Sequence, residues 1–403
     1  MPVGYLVTLL LLGLCTGLAL APLRSPRPLA VFSWVMSMVI AELPLLVLGF
    51  LLASTALAVV EDDLAWPAAP ALLGLAAAIA AGQLVLFART LRAAAVLRQA
   101  LDQELGTGRP TGRAARSTVW RLWAALVPLP VPDLRVRRVR NLIYGDAGAR
   151  HRLDLYRHRD TTTGPTLIYL HGGGYRSGRK SREARLLLTR LAARGWVCVA
   201  ANYRLQPKAG FVEHVNDAKR VIAWVREHGA DHGADPGTIV MAGSSAGGHL
   251  AALCALTPGE SALEEGVHGA DTTITAAVVL YGYLGEYYPH LHDESVVAST
   301  PDSYAHAHAP PVLVIHGDND TFVPPDGARQ FVAALRDRTT EPVVYAELPG
   351  AQHSFDRFPS VRFHAVVDAV EDFTDWVRLR EGAQGARAVD DRERQITAPD
   401  AHG

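Results

Sequence analysis

A short β-prone run, Thr238 to Ala242, gives way to Gly243-Ser244-Ser245-Ala246-Gly247 and then to the helix-forming Gly248-His249-Leu250-Ala251-Ala252-Leu253. A strand that turns into a helix within five residues forces its central residue into a strained backbone with the side chain exposed. Neighbouring chain then comes so close that small residues are needed at Gly243 and Gly247. The glycine spacing centres this turn on Ser245, not Ser244.

Three further segments stand in a telling order around it. Upstream, His171-Gly172-Gly173-Gly174-Tyr175 follows the apolar run Leu167 to Leu170. Downstream, His316-Gly317-Asp318-Asn319-Asp320 closes the run Val312 to Ile315, and Gln352-His353-Ser354 follows the strand-like stretch Pro342 to Leu348 and the breaker Pro349-Gly350. A serine hydroxyl is a poor nucleophile unless a base lies within hydrogen-bond reach and an acid orients that base. His353, in a loop at a strand's end and before the closing helix, suits the base. Asp318 and Asp320 both follow the same strand and compete for the role of acid. Asp318 suits a turn-capping role, a common use of Asp in loops. The glycines after His171 leave backbone N–H groups open to a developing oxyanion, and the N–H of Ala246, next to the nucleophile, is a further donor.

The order Ser, Asp, His is the one α/β-hydrolases use, and His316-Gly317-x-x-Asp320-x-x-Val323 resembles their H-G-x-x-D-x-x-V pattern, which favours Asp320. Together with His151 to Tyr156, Ala201 to Leu205 and Asp217, the motifs resemble the hormone-sensitive-lipase-like esterases, most closely the BD-FAE-like carboxylesterases. The similarity covers roughly residues 135–380. It implies Ser245, Asp320 and His353 as a catalytic triad, and the N–H groups of Gly173, Gly174 and Ala246 as oxyanion donors. One departure stands out: many members carry Asp before the nucleophile, where this chain has Ser244. The hydrophobic amino-terminal region also gives the chain the look of membrane-attached actinobacterial lipase/esterase paralogues.

Of the 403 residues, 49% are hydrophobic, and the excess gathers before residue 90. Three apolar runs, about 3–23, 30–60 (broken by Glu42 and Pro44) and 65–88, have membrane-spanning length. A cleavable signal peptide is the alternative for the first run, but no Lys or Arg precedes it. Arg24 and Arg27 lie between the first and second runs; Arg89, Arg92 and Arg98 follow the third. Arginines are retained in the cytoplasm, which predicts the amino terminus outside, three spans and a cytoplasmic catalytic domain in a multi-pass protein of the cell membrane. Glu42 reads as a residue near a helix end or facing a partner helix rather than a functional intramembrane carboxylate.

Residues 91–134 read as a connector, interfacial through Trp120 and Trp123 or packed as a cap. From 135 to 380, strand-like runs (167–170, 197–201, 239–242, 276–281, 312–315, 343–348) alternate with helical stretches, which predicts a mostly parallel sheet with helices on both faces. The fold class is therefore α/β, an α/β-hydrolase fold preceded by an all-α transmembrane region. A Tyr- and His-rich insertion, 282–310, precedes the Asp320 strand and is placed to overhang the site. Residues 381–403 are charged, with few large apolar side chains, and are expected to be disordered.

Neither cofactor nor metal is expected: His290, His292 and Asp293 lack any zinc-site spacing. Cys15, Cys198 and Cys254 have apolar surroundings and unrelated spacings, as in a reducing compartment. A net charge of −1 gives no reason to expect nucleic acid. The expected partners are a membrane and a small-molecule or lipid ester cleaved through an acyl-enzyme; oligomeric state is not legible. The same triad also serves amidases, arylformamidases and small peptidases, and a non-catalytic binding protein on this fold would be expected to have lost triad members.

Overall fold

The computed structural model describes residues 3–107, 123, 126–129, 133–288 and 291–397, the last fourteen of these, 384–397, as backbone alone. Among them, eight strands form one sheet: β1 (Val136–Ile143), β2 (Arg152–His158), β3 (Gly164–Leu170), β4 (Val197–Ala201), β5 (Ala234–Ser244), β6 (Ala276–Leu280), β7 (Val312–Gly317) and β8 (Val343–Leu348). Their order is β1-β2-β4-β3-β5-β6-β7-β8, antiparallel from β1 to β4 and parallel thereafter. The parallel strands are apolar nearly throughout because helices cover both faces. β1 and β2 were not foreseen. β1, Val-Arg-Arg-Val-Arg-Asn-Leu-Ile, is a half-exposed edge strand whose arginines hide the alternation.

The amino-terminal region consists of α1 (Val3–Leu20), α2 (Arg27–Glu42), α3 (Pro44–Val60) and α4 (Ala69–Leu105). By length and composition α1 and α4 are able to cross a bilayer, and α2 with α3 form a further candidate bent by 87°. The run 30–60, expected as one span, is thus broken. Pro44, the first residue of α3, lacks the N–H that would continue the helix and restricts Leu43 before it. The third run does not stop at residue 88 either. With no breaker between Ala88 and Leu105, α4 continues through the first part of the expected connector, and its 37 residues extend about 55 Å, nearly twice a hydrocarbon core of about 30 Å. Trp120 lies outside the described residues.

Tyr5 bonds Thr55 at 2.9 Å, Gln83 donates to Thr16 at 2.7 Å, and Arg89 donates to the carbonyl of Leu20 at 3.1 Å. So α1 and α4 run the same way and α3 runs back between their ends. A Cβ at Gly82 would stand 2.6 Å from the Thr16 methyl, so glycine is what lets α1 and α4 approach this closely. Beyond the bundle, Ala93, Leu97 and Leu101 of α4 enter the same core as Val344, Ala346 and Leu348 of β8.

Among the described residues, five more helices cover the sheet: α5 (Arg185–Ala193), α6 (Phe211–His228), α7 (Ala246–Leu256), α8 (Asp326–Arg336) and α9 (Val361–Thr397). Residues 398–403 lie outside the described residues; through the rest of the segment expected as a disordered tail, the backbone of α9 runs on to Thr397. Its segment is rich in Ala, Arg, Glu and Gln, whose intrinsic helix preference outweighs the lack of an apolar face.

Candidate active site

Ser245 lies between β5 and α7 with φ 55° and ψ −119°, the strained turn its sequence context demands. A Cβ at Gly243 would stand 2.1 Å from the Gly247 carbonyl oxygen, and one at Gly247 2.1 Å from that of Leu170. A side chain at Gly243 would force the two arms of the elbow apart, and one at Gly247 would push the elbow off β3. The backbone N–H of Ser245 donates to Leu280 O at 3.0 Å, tying the turn to β6 as well.

Loops at the carboxyl ends of β7 and β8 bring Asp320 and His353 to the same place. His353 Nε2 is 2.9 Å from Ser245 Oγ, and its Nδ1 is 2.7 Å from Asp320 Oδ2. All three residues are buried. Burial alone would raise the Asp320 pKa, but the opposing His353 and a hydrogen bond from His316 outweigh it and hold the carboxyl at about 2. Its other oxygen accepts the N–H groups of Phe322 and Val323 at 3.0 and 2.7 Å. Asp318 lies apart from the imidazole. Its Oδ1 accepts the N–H of Gly350 at 2.7 Å, which joins the β7 loop to the turn after β8.

The β3 loop completes the cleft. Gly173 and Gly174 have φ values of 122° and 57°, and a Cβ at Gly173 would collide with the Ser177 carbonyl. The N–H of Gly172 is committed to Glu183 Oε2 at 2.7 Å, so of these three glycines Gly172 does not serve an oxyanion. His171 is buried, and burial lowers its pKa to about 4. The neutral ring donates from Nδ1 to Gly172 O at 2.7 Å and stacks on Tyr203. It is a brace for the loop rather than a base. His249 is likewise neutral, its pKa lowered by burial to about 4, and bonds the Ser299 carbonyl at 2.7 Å. From the 282–310 insertion, Tyr288 donates to Gly174 O at 3.0 Å and the N–H of Tyr283 donates to Ser245 O at 3.2 Å. His290 lies outside the described residues, among which no cluster suited to a metal occurs.

Sequence reasoning missed three neighbours of this cleft. Asp356, one turn after His353, accepts hydroxyl groups from Ser244 at 2.7 Å, Tyr169 at 3.2 Å and Tyr281. Burial pushes its carboxyl up, against the pull of those three donors. A carboxylate absent at position 244 is therefore supplied beneath the elbow from another loop. Glu183, pushed up to about 7 by burial and by the Asp356 charge, has no local signature. Nor does Trp34 of α2, whose indole packs on Phe322 with ring centroids 4.4 Å apart.

Comparisons with known proteins group the chain with esterases. The BD-FAE family profile matches residues 153–285. The probable carboxylic ester hydrolase LipM of Mycobacterium tuberculosis is 36% identical over 395 residues, spanning 88% of this chain and 90% of the relative. Esterase LipQ of the same organism is 38% identical over 66% of this chain and 68% of its own length. Among solved structures, esterase 2 of Thermogutta terrifontis superposes with a TM-score of 0.51 at 28% identity, covering 60% of this chain and 95% of that enzyme. With the elbow, the sheet order and these relatives together, the chain belongs to the BD-FAE-like carboxylesterases of the hormone-sensitive-lipase-like α/β-hydrolase group.

Proposed function

We propose that this carboxylesterase is membrane-anchored and works through an acyl-enzyme formed on Ser245. The observation that carries the reading is the unbroken chain from Asp320 through both nitrogens of His353 to the Ser245 hydroxyl. His353 Nε2 takes the Ser245 proton as Oγ bonds to the ester carbonyl carbon. The carbonyl oxygen becomes an oxyanion facing the N–H groups of Gly173, Gly174 and Ala246. Return of the proton from His353 to the departing alkoxide releases the alcohol and leaves the acyl group on Oγ. Water then repeats the sequence with His353 as base, releasing the carboxylic acid and restoring Ser245. Asp320, ionised across the working pH range, holds the imidazole in the tautomer that presents Nε2 as acceptor.

The anchoring reading is supported by α1, α3 and α4, and by where the arginines fall. Arg24 donates to Asp318 O at 2.9 Å, and Arg89 sits at the α1 terminus that meets the hydrolase. Both arginine-bearing segments thus lie on the hydrolase side, and Glu61, Asp62 and Asp63 lie at the far end of α3. Retention of arginine in the cytoplasm puts the hydrolase there, with three spans and the amino terminus outside. We take 3–105 as the membrane-anchoring unit and 133–380 as the catalytic one, with a small-molecule or lipid ester as substrate.

Rapid mixing of the detergent-solubilised full chain with a nitrophenyl ester tests the mechanism. The expected result is a burst of nitrophenol equal to the enzyme present, with acyl mass on the Ser245 peptide after acid quench. A burst whose acyl mass maps to another residue overturns it.

A further inference from the structure

Helix α2 touches the hydrolase along its whole length. At its start, Arg27 donates to Phe322 O at 2.6 Å and lies over that ring. Further along, Ala30 O accepts from Thr321 at 2.8 Å and Trp34 donates to His353 O at 3.1 Å. At its end, Glu42 pairs with Arg362 and accepts from Ser360 at 2.7 Å. A helix of 16 residues, about 24 Å long, that is pinned to one domain at both ends does not run away from that domain across a bilayer. The spanning segment is instead α3, which leaves α2 at 87° and whose 17 residues extend about 26 Å, within the range of spanning helices.

The opposite side of α2 carries Leu29, Phe32, Val35 and Val39, all exposed and spaced three, three and four residues apart on one stripe. No polar residue interrupts it, and α3, which follows it, likewise exposes apolar side chains, including Phe50 and Leu52. Arginines at positions 24 and 27 flank its start, at the height where lipid headgroups would lie.

We infer that α2 is an interfacial helix lying in the surface of the lipid leaflet directly above the triad, and that Ser245 takes its ester from that leaflet. The proposal rests on the serine-esterase, membrane-anchored reading above. It adds a substrate class: esters whose acyl chain resides in the bilayer, the reacting carbonyl reaching Ser245 from beneath α2. The occupant of the apolar stripe is lipid. Burial of such a face in the headgroup and acyl boundary is what holds amphipathic interfacial helices in place.

Depth measurement tests this without relying on catalysis. The full chain with Cys15→Ser is given Val35→Cys or Leu52→Cys, labelled with a polarity-sensitive fluorophore and reconstituted in phosphatidylcholine–phosphatidylglycerol vesicles. Nitroxide lipids then quench it from the headgroup or from deep in the acyl chain. The expected result is a Val35 probe quenched most by the shallow nitroxide and a Leu52 probe quenched most by the deep one. A Val35 probe quenched by neither, whether wet or covered by a second copy of the chain, overturns the proposal, as does one quenched most by the deep label. Activity supplies the second arm. Val35→Glu is expected to keep hydrolysis of water-soluble nitrophenyl acetate within about twofold and to lower hydrolysis of a long-chain ester held in the vesicles about tenfold, because the charge lifts α2 from the leaflet. Equal effects on both esters, with the variant still folded, overturn the substrate assignment. Failure of the unmodified chain to hydrolyse either ester counts against the catalytic reading instead, and the quenching profile still decides the position of α2.

Discussion

The indole N–H of Trp34 donates to the backbone carbonyl of His353 at 3.1 Å, so a residue of the apolar amino-terminal region holds the loop that carries the imidazole. The same indole stands edge-on to the His353 ring, with centroids 5.8 Å apart. The apolar amino-terminal region is therefore part of the site's framework. Trp34→Phe keeps most of the packing and removes the donor. A net hydrogen bond of about 1 kcal/mol corresponds to roughly a fivefold loss, expected in kcat with KM changed little, since the bond positions the base and not the substrate. Steady-state kinetics with a soluble ester checks it, and an unchanged kcat would show that the loop holds itself.

Asp320 and Asp318 separate cleanly by their partners. Asp320→Asn removes the charge facing His353 Nδ1 and is expected to lower turnover by roughly four orders of magnitude, as in the template triad. Asp318→Asn loses only part of its bond to Gly350 and is expected to cost far less. Stability carries a second signature. The Asp320 carboxyl titrates at about 2 in the folded chain and at about 3.9 when unfolded. The unfolded state thus binds the extra proton between those values. This contribution is full above the unfolded pKa and is lost as pH falls through the folded one. Asp320→Asn should flatten that acid-side decline in a denaturation series, and an unchanged slope would place the charge elsewhere.

Glu42 and Arg362 form a fully buried pair between α2 and the start of α9. Removing one partner leaves an unpaired buried charge, which typically costs about 3–5 kcal/mol. Glu42→Gln is therefore expected to lower the thermal midpoint by several degrees, whereas Glu42→Gln with Arg362→Met recovers most of the loss. Equal midpoints for the single and double variants would show that the two side chains do not depend on each other.

Much of this architecture was legible in the sequence, for physical reasons that differ by element. The apolar runs that became β3 to β7 are buried on both faces, and β8 on one and part of the other, so their composition marks them. The four site segments are legible because each needs glycine, serine, acid or histidine at a strand's end. β1 was hidden by its arginines, since an exposed edge carries little hydrophobic signal. The 87° bend at Pro44 was present as a breaker within an apolar run, but composition alone does not say whether such a helix kinks or divides. Trp34, Glu183 and Asp356 act through tertiary contacts with residues more than a hundred positions away or in neighbouring loops. No local pattern marks those contacts. Glu42 does lie at a helix end and faces another helix, but its partner there, Arg362, belongs to the hydrolase and not to the bundle, which no local pattern indicates.

Topology has its own test. With three spans and arginines on the hydrolase side, a fluorescent reporter fused after Ala383 is expected to be bright in the cytoplasm, and an alkaline phosphatase fused there is expected to be inactive. Active phosphatase at that position would turn the whole chain over and expose Ser245 to the outer surface.

Labelling of intact membranes with a fluorophosphonate probe tests the central claim most directly. The chain is expected to take up one probe on Ser245, located by peptide mass. Ser244→Ala retains labelling because its hydroxyl points to Asp356, and Ser245→Ala abolishes it. Labelling that persists in Ser245→Ala, or that maps to Ser244 in the unmodified chain, would contradict the account.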